Sequence, residues 1–131
     1  MKSKKLSIRL LVLIFSIFVL NYLAMGFHWY SSIWYFDMPM HFLGGLWLGL
    51  ISIYLFSFKD FSFQSILKIS LIVLLIGIGW EIFEVLIDNF ITQSSFDFVD
   101  TMSDLFFDVL GGLFAVWYFT KLIMPIEKNK L

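Results

Sequence analysis

Four apolar runs, at about residues 6–25, 40–58, 66–87 and 105–124, are separated by three short segments where polar and aromatic residues gather. At a rise of ~1.5 Å per residue, each run is long enough to cross a hydrocarbon core of roughly 30 Å. The pattern predicts an all-α, polytopic membrane protein, with residues 1–131 forming a single four-helix transmembrane domain. The first run follows a basic head, MKSKK, and so has the layout of a signal peptide. It continues past the usual length of one, shows no small-x-small cleavage site, and is needed for an even number of crossings. It is therefore read as the first span.

Composition agrees with a lipid solvent: 60% of the residues are hydrophobic and only 15% are charged, which excludes an ordinary soluble domain. Membrane lipids are the implied partners, and nucleic acid is not. The absence of cysteine excludes disulfides, thiolate metal sites and cysteine nucleophiles.

Charge is sorted by side. Lys2, Lys4, Lys5 and Arg9 stand at the head of the first run, Lys59 and Lys68 flank the segment between the second and third, and Lys121, Lys128 and Lys130 close the last. These are all nine basic residues, and the segments 27–38 and 89–103 contain none. The positive-inside rule then predicts a multi-pass protein of the inner (cytoplasmic) membrane, with both termini in the cytoplasm and two outward loops. In the first of these, GFHWYSSIWYFDM is rich in Trp and Tyr, as expected of an interfacial aromatic belt. His28 is read as part of that belt.

The acids take the opposite side. Asp37, Glu81, Glu84, Asp88, Asp97, Asp100, Asp104 and Asp108 lie in the outward half, leaving Asp60 and Glu127 inside. Asp97 reads as a solvated loop residue, but the spacing of the others asks for more. Gly77, Glu81, Glu84 and Asp88 step by four, three and four residues; Asp100, Asp104, Asp108 and Gly112 by four; Asp37, His41, Gly45 and Gly49 by four. Each set is one stripe of a helix. A charged side chain near the middle of a membrane helix costs about 2.5–3.5 kcal/mol, so the stripes are expected to face the bundle interior. The glycines on them permit close helix packing, with Gly45 and Gly49 the clearest pair.

Counting from the basic residues gives a depth. Glu81 and Asp108 each lie thirteen residues from an inner-face lysine, or ~20 Å above the inner edge. Glu84, Asp104 and His41 fall one turn farther out, at ~24–27 Å. Asp37, Asp88 and Asp100 form an outermost layer at ~30–33 Å. The result is an acidic funnel opening outward, with one histidine and no Lys or Arg. Like charges in a low dielectric cannot all ionise unless protons or a cation accompany them. Asp, Glu and one His suit a divalent ion such as Mg²⁺, Mn²⁺, Fe²⁺ or Zn²⁺. The candidate ligands are His41, Glu81, Glu84, Asp104 and Asp108, with Asp37, Asp88 and Asp100 as outer-layer candidates. Local roles compete: Asp37, ahead of Met38 and Pro39, fits an N-cap of the second span, and Asp100 or Thr101 fits the cap of the fourth.

The pattern DMPMHFLGG…EIFE…DTMSDLFFDVLGG, from Asp37 to Gly112, resembles the small bacterial inner-membrane proteins of the YjdF-like type, related to the VanZ-like superfamily. Asp37, His41 and Phe42, the paired acids Glu81 and Glu84, and the run Asp100, Asp104 and Asp108 ahead of Gly111 carry the resemblance. The YjdF-like group implies no particular activity. VanZ-like proteins are associated with glycopeptide (teicoplanin) resistance; their usual Lys after the first Asp is Met38 here.

Two main classes of function follow. One is a metal-dependent intramembrane hydrolase or transferase, in which His41, Glu81, Glu84 and Asp108 serve catalysis and a metal-bound water or a carboxylate base acts on a lipid-linked or cell-envelope substrate. No nucleophile motif or phosphate cradle accompanies the acids. The other is a proton- or cation-coupled transport or relay protein. Below Glu81 and Asp108 the stripes turn to glycine and apolar residues, which favours a one-sided site over a channel. A third reading is a non-enzymatic factor in an envelope complex, including a resistance-associated one.

Overall fold

The computed structural model describes residues 4–58 and 60–129. Lys2, Lys59 and Lys130, three of the basic markers used above, lie outside the described residues. Helices run over Lys4–Gly26 (α1), Trp29–Ser32 (α2), Asp37–Phe56 (α3), Phe63–Ile87 (α4), Phe98–Tyr118 (α5) and Met124–Lys128 (α6). π-Helical turns at Asp88–Thr92 and Phe119–Ile123 prolong α4 and α5. Four helical rods, Lys4–Gly26, Asp37–Phe56, Phe63–Thr92 and Phe98–Ile126, are long and apolar enough to cross a membrane. Among the described residues there is no strand.

The helix ends correct two local expectations. Asp37 is not an N-cap: Phe36 holds that position with no side-chain cap bond, and Asp37 is already in the first helical turn. Its carboxylate is thereby free to reach one turn along the helix. The cap of α5 is neither Asp100 nor Thr101 but Asp97, whose Oδ1 accepts from the backbone N–H of Val99 at 3.0 Å and of Asp100 at 3.2 Å. A loop carboxylate one residue before a helix finds two unpaired amides and a favourable dipole, which a solvated position would not supply. Ser62 caps α4 in the same way by accepting from Ser65 N–H.

The interior is divided by polarity. Toward the end that carries Lys68 and Lys121, Leu6, Leu10, Leu50, Ile53, Ile69, Val73, Ala115, Val116, Phe119 and Ile123 form one apolar core with contributions from α1, α3, α4 and α5. Toward the other end, the buried charged residues among those described are His41, Glu81, Asp104 and Asp108, with Ala24 of α1 also enclosed there. The helix pair α3 and α5 is the most extensive contact in the bundle, and glycine makes it possible. A Cβ on Gly45 would overlap the backbone carbonyl of Asp108, and one on Gly111 would overlap that of Phe42. α1 is held more lightly, by Trp47 Nε1 donating to the Leu10 carbonyl at 3.1 Å and Arg9 donating to the Tyr118 hydroxyl at 2.8 Å.

Candidate functional site

His41 lies one turn into α3, 8% exposed, with four carboxylates around its ring. On one side, Nδ1 is 3.1 Å from Asp108 Oδ1 of α5. On the other, Nε2 faces Asp37 Oδ1 at 3.7 Å, Asp104 Oδ2 at 3.7 Å and Glu81 Oε1 at 4.0 Å. Three helices thus converge on one imidazole. Asp104 is 1% exposed and Glu81 and Asp108 are 5% exposed, while Asp37 remains about one-third exposed and forms the open side.

Two carboxylate oxygens of this cluster lack partners. Glu81 Oε1 and Asp104 Oδ1 are buried without a hydrogen bond. A buried, unpaired carboxylate oxygen costs several times what a paired one does, so the arrangement is completed by a proton or a cation. Asp37, His41 and Asp104 each offer one ligand atom, and these atoms all lie within 4.8 Å of one another. Two ligands at ~2.1 Å from a tetrahedral ion stand ~3.4 Å apart. The observed 3.7 Å spacings therefore need only small side-chain adjustments to close on one. An ionised Asp108 can only accept from Nδ1–H, and a neutral imidazole so held would turn the lone pair of Nε2 toward the other three acids, the outer-shell arrangement common to metal-bound histidines.

Beyond Glu81 the interior opens into a cavity of about 80 Å³ lined by Glu81, Glu84, Asp88, Asp97, Asp100 and Thr101, among others. Glu81 is the link, touching the histidine cluster on one side and this vestibule on the other. Glu84 accepts from Trp80 Nε1 at 2.8 Å. Asp88 takes a bond from the Thr92 hydroxyl at 3.1 Å. Tyr30, on the turn of α2, registers the field of the acids: burial and then the negative charges of Asp37 and Glu84 push its phenol above its ordinary value. It stays protonated and donates to Asn21 at 2.7 Å.

Residues 1–124 match a family described as a predicted membrane protein, DUF2238. The chain belongs to that family. The YjdF-like proteins it resembles in sequence are the same DUF2238 family. Neither the curated proteins nor the solved structures contain a match.

In this DUF2238 chain, the depth layers read from sequence are rearranged. His41, Glu84 and Asp104 were expected in one layer above Glu81 and Asp108; instead Asp37, Glu81, Asp104 and Asp108 gather on His41. Side chains of this length reach across the ~5.4 Å between successive helical turns, so residues one turn apart on different helices meet. Glu84 stands outside the group of shared ligand atoms. Three residues beyond Glu81, it is rotated by ~60° about the helix axis, toward the vestibule. Asp88 and Asp100 also line the vestibule, and exposed His28 takes no part. Sequence reading passed over Trp80, whose signal is its four-residue spacing to Glu84 on one helix face.

Proposed function

We propose that this DUF2238 protein binds a divalent cation inside the membrane, at a site open toward the outer face. His41 Nε2, Asp104 and Asp37 are its ligands, Glu81 is the acid that joins it to the vestibule, and Asp108 holds the imidazole. The observation that carries this reading is that two buried acids near His41 Nε2 each keep an oxygen without a hydrogen-bond partner: Glu81 Oε1, itself 4.0 Å from Nε2, and Asp104 Oδ1, whose sister Oδ2 lies 3.7 Å from Nε2. One carboxylate more or less could be left protonated; four around one ring, with no Lys or Arg between residues 10 and 58 or 69 and 120, fit a +2 ion better. One His with two carboxylates suits Mn²⁺, Fe²⁺ or Zn²⁺ more than Mg²⁺, which keeps several waters. Such an ion supplies Lewis-acid activation of water or substrate, and this supports the hydrolase or transferase reading on a lipid-linked or envelope substrate. A through-membrane relay is not favoured, because directly beneath the cluster Gly77, Val73, Gly112 and Ala115 close the interior without a polar group.

The test is a titration of purified protein with Mn²⁺ and Zn²⁺ after chelator treatment. Wild type is expected to bind one ion per chain and His41→Ala none at the same concentrations; equal binding by both would remove the reading. Orientation is tested separately. With both termini in the cytoplasm of the inner membrane, a C-terminal fusion to a reporter active only outside is expected to be silent, and a fusion in the 89–97 segment active. The reverse pattern would turn the site to the cytoplasm.

A further inference from the structure

Glu84 and Asp88 line two surfaces at once. Besides the vestibule, they border an open groove of about 350 Å³ on the outside of α4, completed by Trp80, Phe83 and Ile87. Trp80 and Phe83 are about half exposed on that face, and in a bilayer this exposure is to lipid. Their rings lie 5.5 Å apart, and Trp80 fixes Glu84 Oε1 through its indole N–H at 2.8 Å. A carboxylate beside lipid-exposed aromatics is costly unless something cationic meets it. The chain itself offers nothing: no Lys or Arg occurs between residues 69 and 120 or between 10 and 58.

We infer that this α4 groove seats an outer-leaflet lipid whose headgroup carries a primary amine, with the ammonium between Glu84 and Asp88 and an acyl chain along Trp80, Phe83 and Ile87. Depth fits the occupant. Asp88 stands ~30 Å above the inner edge, where headgroups begin, and Glu84 one turn beneath it. The aromatic rings add cation–π attraction to the carboxylates. A second copy of the chain is a poor occupant, because it would bring its own acidic outer half against this one. Because the groove and the vestibule share Glu84 and Asp88, the seated headgroup borders the ion site. The inference thus names the substrate class of the site proposed above, and it rests on that outward orientation while standing apart from the ion.

The probe is the full chain reconstituted in bilayers of equimolar phosphatidylethanolamine and phosphatidylglycerol, released from lipid and weighed intact, with chelator present throughout. Phosphatidylethanolamine is expected among the retained lipids at roughly fivefold over its share of the bilayer. Glu84→Gln and, independently, Trp80→Leu should both return the retained lipid to the bulk ratio. Ion stoichiometry, measured on the same samples without chelator, should be unchanged, so loss of lipid and loss of metal are separate results. Enrichment of phosphatidylglycerol, no enrichment, or an enrichment that either variant leaves intact overturns the inference. So does enrichment that appears only without chelator, since the lipid phosphate would then be held through the ion. Free ethanolamine displacing the lipid at equal concentration would point to a soluble amine and likewise overturn it.

Discussion

Asp104→Asn is expected to abolish stoichiometric binding of Mn²⁺ or Zn²⁺, whereas Asp108→Asn is expected to weaken it by roughly 10–100-fold while one ion still binds at saturation. The two acids lie one turn apart on α5 and touch different nitrogens of the same ring. Asp104 Oδ2 is 3.7 Å from Nε2 and its other oxygen is buried without a partner, so it is placed to give its charge to an ion directly. Asp108 Oδ1 meets Nδ1 at 3.1 Å, so it acts through the histidine. An amide at position 108 still accepts the ring N–H but no longer raises the basicity of the far nitrogen. Thermal unfolding separates the cases, because an ion held only by the folded state adds about 2.7 kcal/mol at a hundredfold excess over Kd. Wild type should gain that increment and lose it with chelator; Asp104→Asn should show no gain at any concentration tested.

Without the ion the sign reverses. Asn at position 104 removes one like charge from a cluster that has no Lys or Arg and adds N–H donors. Ion-free Asp104→Asn should therefore be more stable than ion-free wild type by on the order of 1–3 kcal/mol. A wild-type protein indifferent to every divalent ion and to chelator, with Asp104→Asn still more stable, would leave shared protons as what completes the cluster.

The second large effect is expected from a methyl group. Gly45→Ala should cost about 2–3 kcal/mol, because the added Cβ would overlap the Asp108 carbonyl on the facing helix and the two backbones must part. Gly44→Ala is the control. A Cβ there meets nothing within 4 Å, so replacing helical glycine with alanine should be neutral or stabilising by up to ~1 kcal/mol. Unfolding of the two variants in detergent, by circular dichroism, gives the comparison. Gly45→Ala should also reduce ion affinity, since the residue it displaces is the one that holds His41. Equal stability of the two variants would mean that α3 and α5 are not packed as closely as described.

Much of the site was legible in the residue order. The four-residue steps through Asp37, His41, Gly45 and Gly49, and through Asp100, Asp104, Asp108 and Gly112, follow from the helical period alone, and they mark the faces along which α3 and α5 approach. Glu81 belongs on its stripe with Gly77, which is buried beside Asp108. Glu84 was read onto the same stripe and proved to be only its margin. A three-residue step and a four-residue step look equivalent in a sequence pattern, yet they fall on opposite sides of the stripe's centre line. On a helix with neighbours on two sides, that difference separates the interior from the open groove along Trp80 and Phe83. Asp97 is the opposite case: nothing in its spacing marked it, since a cap is defined by where the chain turns into the helix.

The sequence by itself determined the solvent, the number of long helices and the separation of acids from bases, because these depend on one-dimensional quantities: run length, helical period and the cost of charge in hydrocarbon. It also determined that the outward acids have no Lys or Arg beside them in the chain, only one histidine on the same helical stripe. Tertiary structure alone decided which acids share the imidazole. Counting residues gives height along an axis, but contact depends on how three helices are rotated and how closely glycine lets two of them approach. The same packing decided that Asp108 meets Nδ1 while Asp37, Glu81 and Asp104 share the side of Nε2. The division of one acidic cluster between the two nitrogens of a single ring is a property of that arrangement in three dimensions.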